Sequence, residues 1–528
     1  MGYRVVIPTA GIGSRLQKLT QNLNKSLVSL ANRPILSHII EQFPKTCEFI
    51  IALGHKGELV KEFLELAYPE RFFYFVKVEP YEGKGSGLGY SLLCCEKYLQ
   101  KPFVFISCDT LVKESIPDPK YNWMGFSSVK DLSLYRTLEV RGHDVIQIHE
   151  KRKIISGDEK AYVGLAGIYD YTIFWDAMRK DKETAFKQGE AYGLKKILEQ
   201  QPIISKSFTW FDTGTPQALA LARKFYQEVN SPNILEKENE AIWLMGQRVI
   251  KFSTDSQFIQ NRSLRAGKLK GFVPKVLDLK KHMYSYTKVK GHILSDVITL
   301  PLFKLLLEYC DLFWKKAELE FEDRDKFQKK CKHFYCNKTL QRIELFYKNF
   351  GKQDGTESIN GQEMPTLSNL LNKIDWDDLS NGCPGRFHGD FHFENILWEP
   401  IKKQFVFLDW RQDFAGNLEI GDIYYDLSKL LHGMIVSHEL IAKNHFSIEW
   451  NDNEIKFDLQ RKPILKECEE QFNKWSIDHG FSITKIRILT ALIYLNISAL
   501  HHYPYSLFLY ALGKSLLFSE LKKSEKLN

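Results

Sequence analysis

Two sets of residues in this chain have the types and spacing to do chemistry on phosphates. The denser is Arg386-Phe387-His388-Gly389-Asp390-Phe391-His392-Phe393-Glu394-Asn395-Ile396-Leu397. Asp390 and Asn395 stand five positions apart, and Asp409 follows at the end of the apolar run Phe405 to Leu408. Moving a phosphoryl group from ATP to an alcohol needs a carboxylate near the hydroxyl proton and oxygen ligands for Mg2+. Asp390, Asn395 and Asp409 supply those three tasks. Taken singly, Asp390 is a capping residue and Asp409 a solvated turn; the shared order and spacing favour the joint reading. Zinc on His388 and His392, at i and i+4, lacks an evident third ligand.

The second set is spread over 200 residues. Gly11, Gly13 and Arg15 directly follow a strand-like run, Arg4 to Pro8. Glycines there let backbone N–H groups approach phosphate oxygens, and Arg15 adds a fixed cationic fork. The pattern is neither the dinucleotide fingerprint nor a P-loop. Lys25 follows, then Asp109 at the end of the apolar run Phe103 to Ser107, where a sheet presents ligands for a metal. Asp212 lies in Trp210-Phe211-Asp212-Thr213-Gly214-Thr215-Pro216, ahead of a helix-like run. Each also has a bland reading: a turn, a solvated lysine, an N-cap.

The elements that must position these residues change character along the chain. Up to about residue 230, apolar runs (Arg4 to Pro8, Phe49 to Leu53, Phe72 to Val78, Phe103 to Ser107) alternate with helical spacing (Ile35 to Phe43, Val60 to Leu66, Gly89 to Tyr98). Alternation from the first residue predicts an α/β sheet. Asn230-Ser231-Pro232-Asn233 is a turn-rich join. Glu240 to Phe252 then reads as two short strands around Gly246, and Leu300 to Phe350 as long helices. Gly351 to Thr366 reads as a surface loop, and the C-terminus as helical. No internal repeat is visible.

Composition narrows the classes. With 528 residues, 44% hydrophobic and 26% charged, the chain is that of a globular protein of two or three domains, not a disordered segment or a rod. A net charge of +8 permits a basic surface for nucleic acid, but no dense Lys/Arg block demands one, and no nucleic-acid partner is expected. Nine scattered cysteines without a CxxC pair fit reduced thiols and a cytoplasmic protein. The most apolar stretch, Ile488 to Phe518, is interrupted by Asn496, His501, His502 and Pro504. It predicts two buried helices, not a membrane span.

The first 228 residues resemble the sugar-phosphate nucleotidyltransferase family. The family's G-x-G-[ST]-R, Lys, strand-ending Asp and W-x-D-x-G-T are matched at Gly11 to Arg15, Lys25, Asp109 and Trp210 to Thr215. Glu150-Lys151 matches its sugar-phosphate pair, and Gly85 to Gly89, with Gly87 inside, its glycine-rich segment beside the base. The resemblance implies that a substrate phosphate attacks the α-phosphorus of a nucleoside triphosphate and pyrophosphate leaves. Asp109 and Asp212 would hold Mg2+, Arg15 the pyrophosphate and Lys25 the α-phosphate, while Lys151 would position the attacking phosphate. The departures are Ala10 in place of Gly, and Lys18 and Asn24 in place of Pro.

The C-terminal half resembles the aminoglycoside phosphotransferase and choline kinase superfamily, which shares the protein-kinase fold. Its H-G-D-x-x-x-x-N and following Asp are matched at His388 to Asn395 and at Asp409. Val249-Ile250-Lys251-Phe252 resembles the strand whose Lys meets ATP phosphates, and Gly421-Asp422 with Tyr425 to Leu430 a C-lobe segment. The resemblance implies that Asp390 orients or deprotonates the acceptor and that Asn395 and Asp409 bind Mg2+. Two departures stand out. No Glu or Asp lies in Ser256 to Leu269, where a partner for Lys251 is expected, and Trp410-Arg411-Gln412 replaces the Phe-Glu-Tyr of choline kinases.

The expected architecture is therefore α/β. A Rossmann-like nucleotidyltransferase domain with a mixed central sheet spans 1–230, and a two-lobed, protein-kinase-like α+β domain spans 236–528. The expected protein is bifunctional: the second half phosphorylates a small alcohol or sugar with ATP, and the first joins the phosphate to a nucleotide, with CTP favoured. One alternative is an anomeric sugar kinase fused to a UTP- or GTP-dependent pyrophosphorylase. Another is a nucleotidyltransferase carrying a non-catalytic, kinase-like binding module.

Overall fold

The computed structural model describes residues 2–152, 159–227 and 237–525. The turn-rich join at 230–233 and the expected domain limits, 230 and 236, lie outside the described residues. The chain divides into two compact units, Met1–Ile259 with Leu277–Lys288 and Gln260–Val276 with Val289–Asn528.

The first unit is built on a nine-stranded mixed sheet. Its order is Phe72–Lys77, Glu48–Leu53, Arg4–Pro8, Phe103–Ile106, Glu159–Ile168, Trp123–Ser127, Ile204–Ser207, Asp144–His149 and Thr137–Arg141. The first four strands are parallel, and Glu159–Ile168 runs antiparallel to both its neighbours. The central strands are apolar throughout because both faces are covered. Val5, Ile7, Phe49 and Ile51 fill one layer, while Val6, Ile50, Ala52 and Phe105 fill the other. Arg4–Pro8 and Phe103–Ile106 end side by side, which brings the Gly11–Arg15 loop and Asp109 to the same edge of the sheet.

The strands Glu240–Met245, Arg248–Ser253 and Met283–Thr287 also pack in the first unit. Trp243 is fully buried, its ring 5.3 Å from that of Phe63, and its indole N–H donates to Ser29 Oγ at 3.0 Å. Ile250, Phe252 and Met283 join the same apolar layer. The compact units thus do not follow the 1–230 and 236–528 division residue for residue.

The second unit is mainly helical. Ile423–Ile435, Ile483–Ser498 and Tyr505–Glu525 form its centre, and the last two come from the apolar stretch expected to give two helices. Among the described residues no helix is long and apolar enough to cross a membrane. One expectation fails here. The stretch expected as a loop, 351–366, contains the strands Glu357–Ile359 and Gln362–Met364. The C-terminus is helical as expected, and a hairpin, Phe446–Asn451 with Glu454–Leu459, precedes it. The four strands form one sheet. Its formation depends on distant partners: Glu357 is buried in an ion pair with the fully buried Lys514 on the last helix. A polar, Gly-rich segment carries no local sign of such a pair.

Candidate active sites

The first site forms where the parallel strands end. Gly13 has φ +72, and a Cβ on it would lie 2.8 Å from the Lys25 Cβ, so glycine is needed for both conformation and space. Asn24 is fully buried and fixes the next turn. Its amide donates to the carbonyls of Thr9 at 2.9 Å and His55 at 2.7 Å, and its Oδ1 accepts from the Ser26 N–H and hydroxyl. Lys25 is thereby held with its Nζ 3.1 Å from Asp109 Oδ2, and Arg15 stands 3.9 Å from the same oxygen. Burial disfavours charge on both Lys25 and Asp109, yet their attraction overcomes it: the ammonium is raised and the carboxyl lowered from their ordinary values.

Asp212 reaches this point by strand pairing. Trp210–Asp212 runs antiparallel to Thr110–Val112, with Asp212 opposite Thr110. Thr213 then donates its N–H and its hydroxyl to the Asp109 carbonyl. Asp212 is not the N-cap of the following helix; Thr215 is, accepting from Ala218 N. The Asp212 carboxylate accepts from Gly214 N at 2.8 Å and from the Tyr135 hydroxyl at 3.2 Å. Burial, with repulsion from Asp109 added, raises its pKa. Two hard carboxylates that repel each other are a donor set a divalent cation would relieve.

Glu150 is engaged by Arg136 at 2.9 Å and Lys195 at 2.8 Å. Lys151 is exposed, and burial of its stem together with Arg15 and Arg136 lowers its pKa. Gly87 has φ +146 and begins the helix Leu88–Cys95. A Cβ on Gly89 would sit 1.9 Å from the Ala185 carbonyl, so this helix can pack there only through glycine. Gly11 is exposed in the loop after the first strand, and a Cβ there would meet nothing.

The second site is organised by buried charges. Asp426, fully buried on the helix Ile423–Ile435, accepts the N–H groups of His388 and Gly389 at 2.6 Å each and the Trp314 indole N–H at 3.1 Å. Burial pushes its carboxyl up to about 6 even against these donors. Arg265, also fully buried, donates to the carbonyls of Phe387, Arg411 and Leu418 and lies 3.8 Å over the Phe387 ring. Together they fix the backbone that presents Asp390.

Asp390 has a different partner on each oxygen. Oδ1 meets Lys429 Nζ at 2.9 Å; Oδ2 accepts from Asn395 Nδ2 at 3.2 Å and faces His392 Nε2 at 3.5 Å. Burial opposes its charge, but Lys429 and His392 hold the carboxyl well below its usual range. Asn395 spends its NH2 on the Asp390 carbonyl at 2.9 Å and on Asp390 Oδ2 at 3.2 Å, which leaves its carbonyl oxygen as the ligand atom. Asp409 has φ +57, and Arg262 pairs with its Oδ1. The two nitrogens of His388 are taken, Nε2 by the Leu408 carbonyl at 2.8 Å and Nδ1 by the Asp390 N–H at 3.2 Å. The zinc alternative through His388 and His392 therefore has no support. Lys251 is buried on Arg248–Ser253, between two flanking strands of the first unit.

The segment bearing these residues has a family match. Residues 357–450 match the phosphotransferase enzyme family, APH. The N-terminal region matches nucleotidyltransferases. The bifunctional protein GlmU of Methanocaldococcus jannaschii is 24% identical over 255 residues, covering 47% of this chain and 60% of that protein. This chain thus spans about 60% of the length of such curated relatives. The D-glycero-alpha-D-manno-heptose 1-phosphate guanylyltransferase of Campylobacter jejuni is 23% identical over 40% of this chain and 96% of its own. Among solved structures, the CTP:phosphocholine cytidylyltransferase of Streptococcus pneumoniae is similar at 17% identity and a TM-score of 0.35, over 43% of this chain and 99% of that one. The chain is thus similar to nucleotidyltransferases over its N-terminal region, and its residues 357–450 match a phosphotransferase family model.

Sequence reading did not single out Asn24, Tyr135, Arg136 or Lys195 in the first site, nor Arg262 and Arg265 in the second. Asn24 was visible only as a departure from Pro. An Arg on a polar helix reads as solvated, so Arg262 and Arg265 left no signal. Asp426 and Lys429 fell inside the C-lobe segment without individual roles.

Proposed function

We propose that the protein is a bifunctional enzyme in which each site transfers a phosphorus centre to a small molecule. What supports this reading is that acids and cations gather in each site: Lys25, Arg15, Asp109 and Asp212 in one, and Asp390 with Lys429, Asn395 and His392 in the other.

In the first reaction a substrate phosphate oxygen bonds to the α-phosphorus and the bond to pyrophosphate breaks. No base is needed, since the attacking phosphate is already ionised. Asp109 and Asp212 would hold Mg2+, which neutralises charge on the crowded phosphates. Lys25 steadies the α-phosphate, Arg15 draws on the leaving pyrophosphate, and Lys151 holds the attacking one. Gly11 and Gly13 let the loop backbone approach the phosphates, and Gly87 lies beside the base. Glu150 orients Arg136 and Lys195 next to the acceptor.

In the second reaction the acceptor oxygen bonds to the γ-phosphorus of ATP, the bond to ADP breaks, and the hydroxyl proton passes to Asp390. Asn395 and Asp409 would hold Mg2+ there, and Lys251 meets the ATP phosphates. The product of this half is read as the substrate of the first, giving a nucleotide-activated precursor of a surface polysaccharide or lipid headgroup, made in the cytoplasm where both triphosphates are available. CTP is the favoured donor; the pairing of the two domains supports it, while the names of relatives span several bases.

The test uses the full-length chain, assayed for pyrophosphate release with each nucleoside triphosphate and for ADP release with ATP. Asp109→Asn is expected to abolish the first and spare the second, and Asp390→Asn to do the reverse. ADP release that survives Asp390→Asn would refute the kinase assignment. CTP giving no more pyrophosphate than GTP or UTP would refute the choice of base.

A further inference from the structure

The surroundings of Asp390 carry more positive charge than its own pairing requires. Lys429 is matched to Asp390, and His392 to Glu394 at 2.9 Å. Three more cations converge from two elements. Lys338 and Arg342 lie at i and i+4 on the helix Lys338–Phe350, so they share a face. Arg411 crosses the catalytic loop from the other side: its N–H donates to the His388 carbonyl, and its stem passes so close to Gly389 that a Cβ there would lie 2.6 Å from it. Lys338 and Arg411 both lie against one buried ring, Lys338 Nζ at 4.4 Å and Arg411 Cζ at 4.9 Å from the Phe334 centroid.

Among the described residues, none of Lys338, Arg342 and Arg411 is in an ion pair with a carboxylate, and Arg411 Nε is buried without a hydrogen-bond partner. Burial, together with Arg411, Lys429 and Arg342, pushes the Lys338 ammonium down to about 7, while Asp390 works against the shift. Crowded, partly desolvated like charges are costly unless a counter-charge joins them. The two oxygens of Asp390 indicate on which side that counter-charge would enter. Oδ2 is turned to Asn395, the metal-binding side, and Oδ1 to Lys429, which feels Arg411. The unmatched cations therefore group with the Lys429 side.

We propose that the acceptor of the kinase-like half carries an anionic group, a phosphate or a carboxylate, held by Lys338, Arg342 and Arg411 while its hydroxyl faces Asp390. The inference rests on reading Asp390 as the group facing the acceptor hydroxyl. It names a substrate class opposite in charge to choline and to aminoglycosides. The oxygen–γ-phosphorus bond forms, the bond to ADP breaks and the proton goes to Asp390, as for any acceptor; the anion takes no part in bond making. A phosphorylated acceptor would leave as a bisphosphate, whose newly added phosphate is the one the first site would join to the nucleotide. A carboxylated acceptor would leave as a monophosphate.

The experiment uses the full-length protein with Mg-ATP and acceptors in matched sets: glycerol, glycerate and glycerol 3-phosphate; glucose, glucuronate and glucose 6-phosphate; and choline. ADP release is expected from an anionic member, with kcat/KM at least about tenfold above its neutral partner. The carboxylate and phosphate arms tell the two sources apart. In Lys338→Met and Arg342→Met, the anionic-to-neutral ratio should fall about tenfold through the acceptor KM, with the KM for ATP unmoved, and Lys338→Arg should restore it. Preference for a neutral or cationic acceptor, or a loss that falls on the KM for ATP, would overturn the proposal.

Calorimetry with inorganic phosphate, in the presence of Mg-ADP and in a Lys25→Met background that removes a cation of the first site, reads the anion site without turnover. Phosphate binding lost in Lys338→Met, with no acceptor phosphorylated, supports the site and counts against the kinase reading. No phosphate binding up to about 10 mM, weaker than the millimolar affinity worth about 4 kcal/mol, overturns the site itself.

Discussion

Thr213 donates both its backbone N–H and its hydroxyl to the carbonyl of Asp109, each at 3.0 Å. This pair of hydrogen bonds to one acceptor spans 104 residues of sequence. It sets the distance between the strand end that bears Asp109 and the strand that bears Asp212. Thr213→Val keeps the shape and the N–H but removes the hydroxyl bond, worth about 1 kcal/mol. The expected result is a several-fold rise in the Mg2+ concentration that half-saturates pyrophosphate release, with ADP release unchanged. A titration identical to wild type would show that the strand pairing alone sets the spacing.

Asn24 makes four hydrogen bonds from a fully buried side chain to three different segments. Its backbone sits at φ −67, ψ 144, a conformation that proline also takes. That accounts for the departure from Pro at this position: the chain keeps the geometry and adds side-chain bonds. Asn24→Ala should cost about 1–3 kcal/mol in denaturant unfolding of the first unit, because the Thr9 and His55 carbonyls lose their donor. It should also lower the rate of pyrophosphate release, since Lys25 is no longer held against Asp109. Asn24→Pro should retain more of that rate than Asn24→Ala.

Asp426 is 36 residues beyond Asp390 and touches no reacting atom, yet it accepts the two N–H groups that begin the catalytic loop. An asparagine could offer one oxygen to one of them and would turn an NH2 towards the other. Asp426→Asn is therefore expected to cost about 1–3 kcal/mol of stability in the second unit and to lower kcat for ADP release more than it changes KM. Pyrophosphate release should stay at the wild-type level. Equal losses in both reactions would mean global damage in place of loop positioning.

Much of this was legible in the sequence, and what was legible is local. The apolar runs at Arg4, Phe49 and Phe103 signal strands because both faces are buried. His388 to Asn395 is readable because a short run of residues fixes several roles at once. The remainder depends on pairs far apart in the chain. Glu357 becomes a strand residue through Lys514, Asp212 reaches Asp109 through a strand pairing, and Arg265 is buried because four carbonyls await it. Glu150 looks like a substrate ligand by motif, but its oxygens are already given to Arg136 and Lys195.

His392 gives the pH dependence of the second unit. Burial opposes its charge, but Asp390 and Glu394 outweigh it and raise the imidazole from 6.5 to about 9. A group raised in the folded state contributes stability that is complete below its unfolded value and is lost as pH rises through the folded one. The window is therefore 6.5 to about 9. Other groups titrate in the same range, among them Lys338, so the informative quantity is the difference between wild type and His392→Gln. That difference should be largest near pH 6 and shrink by about 3 kcal/mol by pH 9–10, at about 1.4 kcal/mol for each pH unit that separates the folded and unfolded values. Chemical unfolding at several pH values, followed by a probe in the second unit, measures it. A difference flat across the range would mean that the imidazole is neutral when folded and that Lys429 alone balances Asp390.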